Sequence, residues 1–214
     1  VFYLIYGVSV FFFVLIGGLM FYFGVRYRRG SDKTKVGKGP SHNTALELTW
    51  TAIPIVLVLS FFVYGFQGYL NMTTPPANAY VINVTAWKWG WGFEYPNGYI
   101  DANLHVPADR PIRLVLQSQD VIHSFYVPAF RIKKDCVPGR YNQTWFQVDG
   151  AKAGLTGEGV SPEAGPVEYD LYCAEYCGTQ HSQMLAKVVV HRPEGFAAWL
   201  NEASDWVSKE TPVE

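Results

Sequence analysis

Twenty-five consecutive residues without a charge, Val1 to Val25, open this chain, and a second uncharged stretch of 23 residues runs from Leu48 to Leu70. No other feature restricts the fold as severely. At 1.5 Å per residue, a helix over the first run is about 37 Å long, enough to cross a bilayer with some tilt. The buried helix of a soluble protein keeps a polar stripe, and neither run has one. A signal peptide has a shorter apolar region with positive charge ahead of it; here the basic residues come after. The chain begins at Val1 rather than Met, so earlier residues, any signal peptide among them, are expected to have been removed or to be missing.

Between the two runs, Arg26 to Lys38 carries six Lys or Arg against one Asp. Short positive connections stay in the cytoplasm, which sends both ends of the hairpin, and everything after residue 70, to the outer side. A basic run can also bind nucleic acid, but this one lies between two spans. After residue 70 the balance reverses, with eleven basic and sixteen acidic residues. Residues 1–70 are therefore expected to form a two-helix transmembrane hairpin with a cytoplasmic basic loop at about 26–43. Asn43 or Thr44 can cap the second helix, with Glu47 at capping-box spacing from Thr44. Pro54 lies deep enough in that helix to kink it. Residues 71–78, with Pro75-Pro76, read as a linker.

From Tyr80 the periodicity changes to that of strands. Candidates are the run from Tyr80, Gly92–Tyr95, Ala102–Val106, Ile112–Gln117, Ile122–Val127, Arg131–Cys136, Thr144–Val148, Glu168–Tyr172 and Leu185–His191. Gly and Pro punctuate the gaps, and many short strands so separated predict an antiparallel sandwich or barrel over residues 79–192. Residues 151–166 are Gly-rich, without periodicity, and read as an exposed loop. Residues 193–214 are expected to be a helix opened by Pro193 and a tail, with Phe196, Trp199, Leu200, Ala203, Trp206 and Val207 on one apolar face that packs on the barrel or on another subunit. Trp87, Trp89 and Trp91 alternate, which predicts one face of one strand.

The chemistry lies in Cys173-Ala-Glu175-Tyr-Cys177-Gly-Thr-Gln-His181-Ser-Gln-Met184. Thiolate, imidazole and a weak thioether suit copper that cycles between Cu(I) and Cu(II). His123, in Asp120-Val-Ile-His123, supplies a second imidazole. Two thiolates are one too many for a single copper of this kind; both can bridge two metals, each finished by one histidine. A disulfide leaves His181 and Met184 in register for no reason. A Cys2His2 zinc site leaves Met184 idle. The remaining cysteine, Cys136, reads as a small buried residue.

At these residues the chain resembles subunit II of the haem–copper cytochrome c oxidases, whose dinuclear copper centre is called CuA. The resemblance rests on the Cys-x-Glu-x-Cys-x3-His-x2-Met loop, Asp120-x2-His123-Ser, the Pro138-Gly139-Arg140 turn, the Trp-rich run before Glu94-Tyr95, and the two spans. It implies a Greek-key barrel of the cupredoxin kind, with the copper pair held by His123, Cys173, the backbone carbonyl of Glu175, Cys177, His181 and Met184. It further implies that the Glu175 side chain reaches a magnesium shared with subunit I, and that Trp89 is an exposed indole where electrons enter. Asp120 and Asp135 would lie near the docking patch for cytochrome c or a tethered cytochrome c domain. Glu47 would lie at the mouth of a proton path, or else act only as a cap. The implied partners are oxidase subunit I, where oxygen is reduced with proton pumping, and other membrane subunits, in a bacterial cytoplasmic or mitochondrial inner membrane. The family usually has an aromatic at the position of Gly90 and often a Trp at that of Phe125. Quinol-oxidase subunits lack the copper ligands, copper chaperones with Cys-x3-Cys use another fold, and nitrous oxide reductase has no hairpin.

Overall fold

The computed structural model describes residues 1–28, 39, 41–161 and 165–210, with backbone alone for 206–210. Most of the basic connector lies outside these residues, as do the side chains of Trp206 and Val207. The chain divides into two compact units, Val1–Asn71 and Met72–Glu214.

The first unit consists of two helices, α1 (Phe2–Arg26) and α2 (Thr44–Thr73), both long and apolar enough to cross a membrane and with no buried residue in either. None of their side chains is buried within the unit, as suits helices that face lipid. Asn43 caps α2: its Oδ1 accepts the Leu46 N–H at 3.2 Å, and Glu47 Oε1 accepts the Asn43 N–H at 3.3 Å. The reciprocal pair is thus Asn43 with Glu47, not Thr44 with Glu47. The helix continues through Pro54. Thr49 and Ser60 donate their hydroxyls to the carbonyls of Ala45 and Val56, so neither hydroxyl is left unpaired in an apolar setting.

Among its described residues the second unit has ten strands in two five-stranded sheets. One runs in the order β3 (Ile100–Asp101), β2 (Gly90–Glu94), β1 (Tyr80–Trp87), β5 (Ile112–Ser118), β8 (Asn142–Phe146). The other runs β4 (Leu104–Pro107), β10 (Leu185–His191), β9 (Val167–Cys173), β6 (His123–Val127), β7 (Ile132–Cys136). Alternating residues turn inward: Ile82, Val84 and Ala86 of β1, Ile112, Leu114 and Leu116 of β5, with Phe93, Phe125, Leu171, Val188 and Val190, form one buried cluster. At a buried Leu, Ile or Phe each such side chain stabilises the fold by roughly 1.5–3 kcal/mol.

The arrangement is not wholly antiparallel, as the strand pattern had suggested. β1 pairs with β5, and β4 with β10, in parallel. Sequence periodicity reports which face is buried, not the direction of a neighbour. The strand expected at Ala102–Val106 starts two residues later, as β4 at Leu104: Asp101 Oδ1 accepts the Asn103 N–H at 2.8 Å, and that side-chain turn passes the chain from β3 in one sheet to β4 in the other. The three tryptophans do not share a strand. β1 ends at Trp87, the chain reverses at Lys88-Trp89, and Trp91 returns opposite Ala86 on β2. Trp91 points into the core, while the Trp87 ring lies across Gly90 and Gly92, where an added Cβ would stand 3.0 Å from it. That contact accounts for glycine where an aromatic was expected.

α3 (Pro193–Glu210) packs on the barrel through Phe196 and Ala203, which are buried, and Trp199, which stacks on His105 at 4.2 Å and 4°. Asn97 donates to Ser204 Oγ at 2.8 Å. The loop beginning at residue 151 is less exposed than its composition suggests. Asp109, in a left-handed conformation (φ 59), accepts the Gly150 N–H at 2.8 Å and the Thr156 hydroxyl at 3.1 Å, and Leu155 is fully buried.

Candidate metal centre

β9 and β10 form an antiparallel pair whose last register is Tyr172 opposite Leu185. The chain between them makes a loop closed by the Cys173 N–H on the Met184 carbonyl, at 3.3 Å. One turn of 3-10 helix, His181–Gln183, brings Met184 back toward β10. The Ala174 N–H donates to the Ser124 carbonyl at 2.9 Å, which ties the loop to β6 beside His123. Gly178 takes φ +123, and an added Cβ there would stand 3.2 Å from the Trp89 ring. Glycine is needed both for the backbone and for the close approach of that indole.

Within this frame the six expected donors converge. Cys173 Sγ and Cys177 Sγ are 3.9 Å apart, nearly twice the ~2.05 Å of a disulfide bond, and both cysteines are free. His123 Nδ1 faces Cys173 Sγ at 3.9 Å, and His181 Nδ1 faces Cys177 Sγ at 3.5 Å. Met184 Sδ is 3.9 Å from Cys177 Sγ, and the Glu175 carbonyl oxygen is 3.2 Å from Cys173 Sγ. His123, Cys173 and Cys177 place ligand atoms within 4.8 Å of one another, and His181 joins from the Cys177 side. His123 and Met184 are fully buried. Burial, with Cys173 beside it, pushes the Cys177 thiol up to about 11, so a cation must supply the driving force for thiolate formation. Two thiols, two imidazoles, a thioether and a carbonyl around one small space form a donor set that soft, redox-active metal fits and a lone zinc does not exhaust.

The surroundings hold these donor groups in place. His123 Nε2 lies 2.8 Å from Asp120 Oδ1, so Nδ1 is the nitrogen left to bind metal. Desolvation raises the Asp120 carboxyl, but hydrogen bonds from His123, Val121 and Lys88 outweigh it and hold it at about 2. Phe125, fully buried, presents its ring edge-on to Trp91 at 6.1 Å and to Phe93 at 6.5 Å. Cys136 pairs across β6–β7 with His123, and burial pushes its thiol up to about 12. It is an inert core residue, as expected.

The remaining predicted residues are spread differently. Trp89 is partly buried rather than fully exposed, because its ring rests on Gly178 of the ligand loop. Glu175 turns its side chain outward from that loop and is exposed. Asp135 accepts from Ser124 and Lys133, both at 2.7 Å, so its charge is met locally. Glu47 belongs to the other unit, at the start of α2. Sequence reasoning missed Tyr176, which is 76% exposed with its ring 5.7 Å from that of His181. Its place between the two cysteines was the available signal.

Two family models match this chain. The family described as cytochrome C oxidase subunit II, periplasmic domain, matches residues 61–191, and cytochrome C oxidase subunit II, transmembrane domain, matches residues 2–67. Cytochrome c oxidase subunit 2 of Synechocystis sp. is 28% identical over 94% of this chain and 68% of its own length. The protein of that name from Alkalihalophilus pseudofirmus is 30% identical over 92% of this chain and 56% of its own length. Among solved structures, the periplasmic domain of subunit II of cytochrome oxidase (CoxB) of Bradyrhizobium japonicum is similar with 27% identity and a TM-score of 0.51, covering 62% of this chain and 99% of that one. With two membrane-type helices, a cupredoxin-like outer-face domain and family matches that together span nearly its whole length, the chain belongs to the cytochrome c oxidase subunit II family, a component of an oxidoreductase complex.

Proposed function

We propose that this chain is the electron-transfer subunit of a membrane haem–copper terminal oxidase, built around a dinuclear copper centre. The observation that carries the reading is the pair of unbonded sulfurs 3.9 Å apart, each faced by one imidazole nitrogen. Cys173 and Cys177 would bridge two coppers; His123 and His181 would each finish one, with Met184 and the Glu175 carbonyl as weaker donors. Bound there, the copper pair supplies a one-electron carrier. The protein's share is to hold the donors still: the loop is anchored on β6, β9 and β10, so little has to move when charge changes. Trp89 is the proposed point of electron entry, its ring in contact with the ligand loop. The Glu175 carboxylate, outward-facing and hard, is the proposed contribution to a magnesium shared with subunit I. Asp120 and Asp135 are the proposed docking acids in an acidic outer domain that suits a basic cytochrome c or a tethered cytochrome c domain, with opposite charge speeding encounter. Glu47 is a proposed proton-path mouth as well as a cap. The catalytic oxygen site and proton pumping belong to subunit I, and the setting is a respiratory membrane, bacterial or mitochondrial.

The test is metal analysis and electron paramagnetic resonance on the full chain purified in detergent. Two coppers per chain sharing one unpaired electron are expected. One copper, stoichiometric zinc, or a Cys173–Cys177 disulfide in the freshly prepared protein would overturn the reading.

A further inference from the structure

Helix α3 does not rest on a purely apolar seam. Two of the side chains beneath it are imidazoles, and neither belongs to the donor set of the metal centre. His105 lies on β4 and His191 at the end of β10, and these strands pair in parallel with Val189 opposite His105 and Pro107 opposite His191. That register brings the two rings together, His105 Nδ1 to His191 Nε2 at 2.8 Å, in a place where His191 is only 9% exposed. The helix closes over them. Trp199 stacks flat on His105 at 4.2 Å, and the Phe196 ring lies 6.3 Å from that of His191. Tyr95 holds the strand beneath: its hydroxyl accepts the His105 N–H at 2.7 Å and donates to the His105 carbonyl at 3.1 Å, while its ring meets Trp199 edge-on at 5.0 Å. Two inward aromatic residues of the helix thus bear on one hydrogen-bonded pair.

A shared N···N contact needs one donor and one acceptor. The neutral pair meets that need, and so does the pair with one added proton. With two added protons, N–H faces N–H, and two like charges stand side by side where burial has removed water. We propose that His105 and His191 are an acid-operated latch for α3: paired, they hold the helix on β4 and β10, and doubly protonated they push apart and let it go. The charged groups nearby come from several elements. Asp101, at the end of β3, is 3.9 Å from His105 Nε2, and Glu168 of β9 acts on the same ring; both favour its charged form and direct the first proton there. The charge acting on His191 is that of His105, which together with burial opposes its protonation, so the second proton opens the latch. Arg192 donates to the Ser161 carbonyl at 2.9 Å, and Glu194, Glu202 and Asp205 of α3 are exposed. Release uncovers the Phe196 and Trp199 rings. On an outer-face domain the latch reads the pH outside the membrane, and it stands whether or not the copper reading does.

The test is hydrogen–deuterium exchange on the full chain in detergent at pH 7 and pH 4, corrected for the intrinsic pH dependence of exchange. His191 is held at about 4 when covered and takes up a proton near 6.5 when free, so the hold on α3 is complete above about pH 6.5 and is lost as pH falls toward 4. Amide protection over residues 196–205 should therefore fall by roughly tenfold or more between pH 7 and pH 4, while β1 and β5 keep theirs. Constant protection of α3 at pH 4, or a loss in step with β1 and β5, overturns the latch. His105→Phe combined with His191→Leu removes both titrating rings, and α3 should then be equally protected at the two pH values; a surviving pH dependence assigns the effect elsewhere and overturns the proposal. His191→Gln keeps an acceptor for His105 Nδ1 but cannot take the second proton, and it serves as the check if the double variant packs poorly. In His191→Gln the helix should stay protected at pH 4, and a loss as large as the parent's overturns the part given to the second proton.

Discussion

The outer domain holds two pairs of histidines, and the pairs differ in what each ring nitrogen meets. His123 and His181 turn Nδ1 toward cysteine sulfurs, at 3.9 and 3.5 Å. His105 and His191 turn on each other, Nδ1 to Nε2 at 2.8 Å, with His105 laid flat on Trp199. In the second pair one ring must donate and the other accept, so one of the two lone pairs a metal would need is already used. Burial lowers the affinity of both rings for protons; His191, desolvated and beside His105, is pushed down to about 4. Burial alone therefore does not make a histidine a ligand. Its partners do, and sulfur on one side with a carboxylate on the other marks His123 as different in kind from His191.

The largest expected effect separates the pairs outright. Cys173→Ser removes one bridging sulfur, so copper should drop from two to at most one per chain, the shared-electron signal should vanish, and donor oxidation should fall by about a hundredfold or more, the loss usual when a group essential to the chemistry goes. His105→Phe combined with His191→Leu should leave two coppers in place; loss of copper there would break the comparison. A second test removes the cover of the outer pair. Trp199→Ala should destabilise the domain by about 3 kcal/mol, the low end for a large aromatic that is only partly buried, as read by denaturant unfolding, with the copper spectrum unchanged. An altered spectrum would mean that α3 and the metal loop are linked.

The smallest expected effect is in pH. The folded state holds His105 and His191 neutral, with values below the ordinary 6.5, whereas the unfolded chain takes up protons near that value. Their contribution to stability is fully present above about pH 6.5 and is lost as pH falls toward about 4. Asp101, 3.9 Å from His105 Nε2, and Glu168 oppose the shift of His105 and blunt its part. Thermal melts between pH 7 and 4 should show this fall, and the Phe–Leu double variant should flatten it. A slope identical in parent and variant would assign the acid sensitivity elsewhere.

How far the sequence could be read depended on how local each signal was. The membrane helices were legible because twenty or more uncharged residues in a row leave a helix in lipid as the solution. The donor loop stood out because five of the six proposed donors lie within twelve residues, and the strands were legible because inward residues alternate. The tryptophan run was misread because a two-residue reversal breaks an alternation that looks continuous on paper. The hydrogen bonds of Asp120 to His123, Val121 and Lys88 could not be read, because charge in a sequence says nothing about which partners a carboxylate meets. His105 and His191 went unnoticed, since 86 residues separate partners that lie one hydrogen bond apart.

By itself, then, the sequence determined that this chain carries two spans, an outer strand domain and a donor set chosen for a soft metal. Composition, period and short spacing act through neighbours along the chain, and these survive without knowledge of the fold. Tertiary structure decided which nitrogen of His123 faces the sulfur, that the Trp89 ring lies on Gly178, that β1 and β5 run parallel, and that the Asp120 carboxylate meets both the Lys88 amide and His123. Each of these depends on the register between strands distant in sequence, which is set by packing of the whole core and not by any one segment.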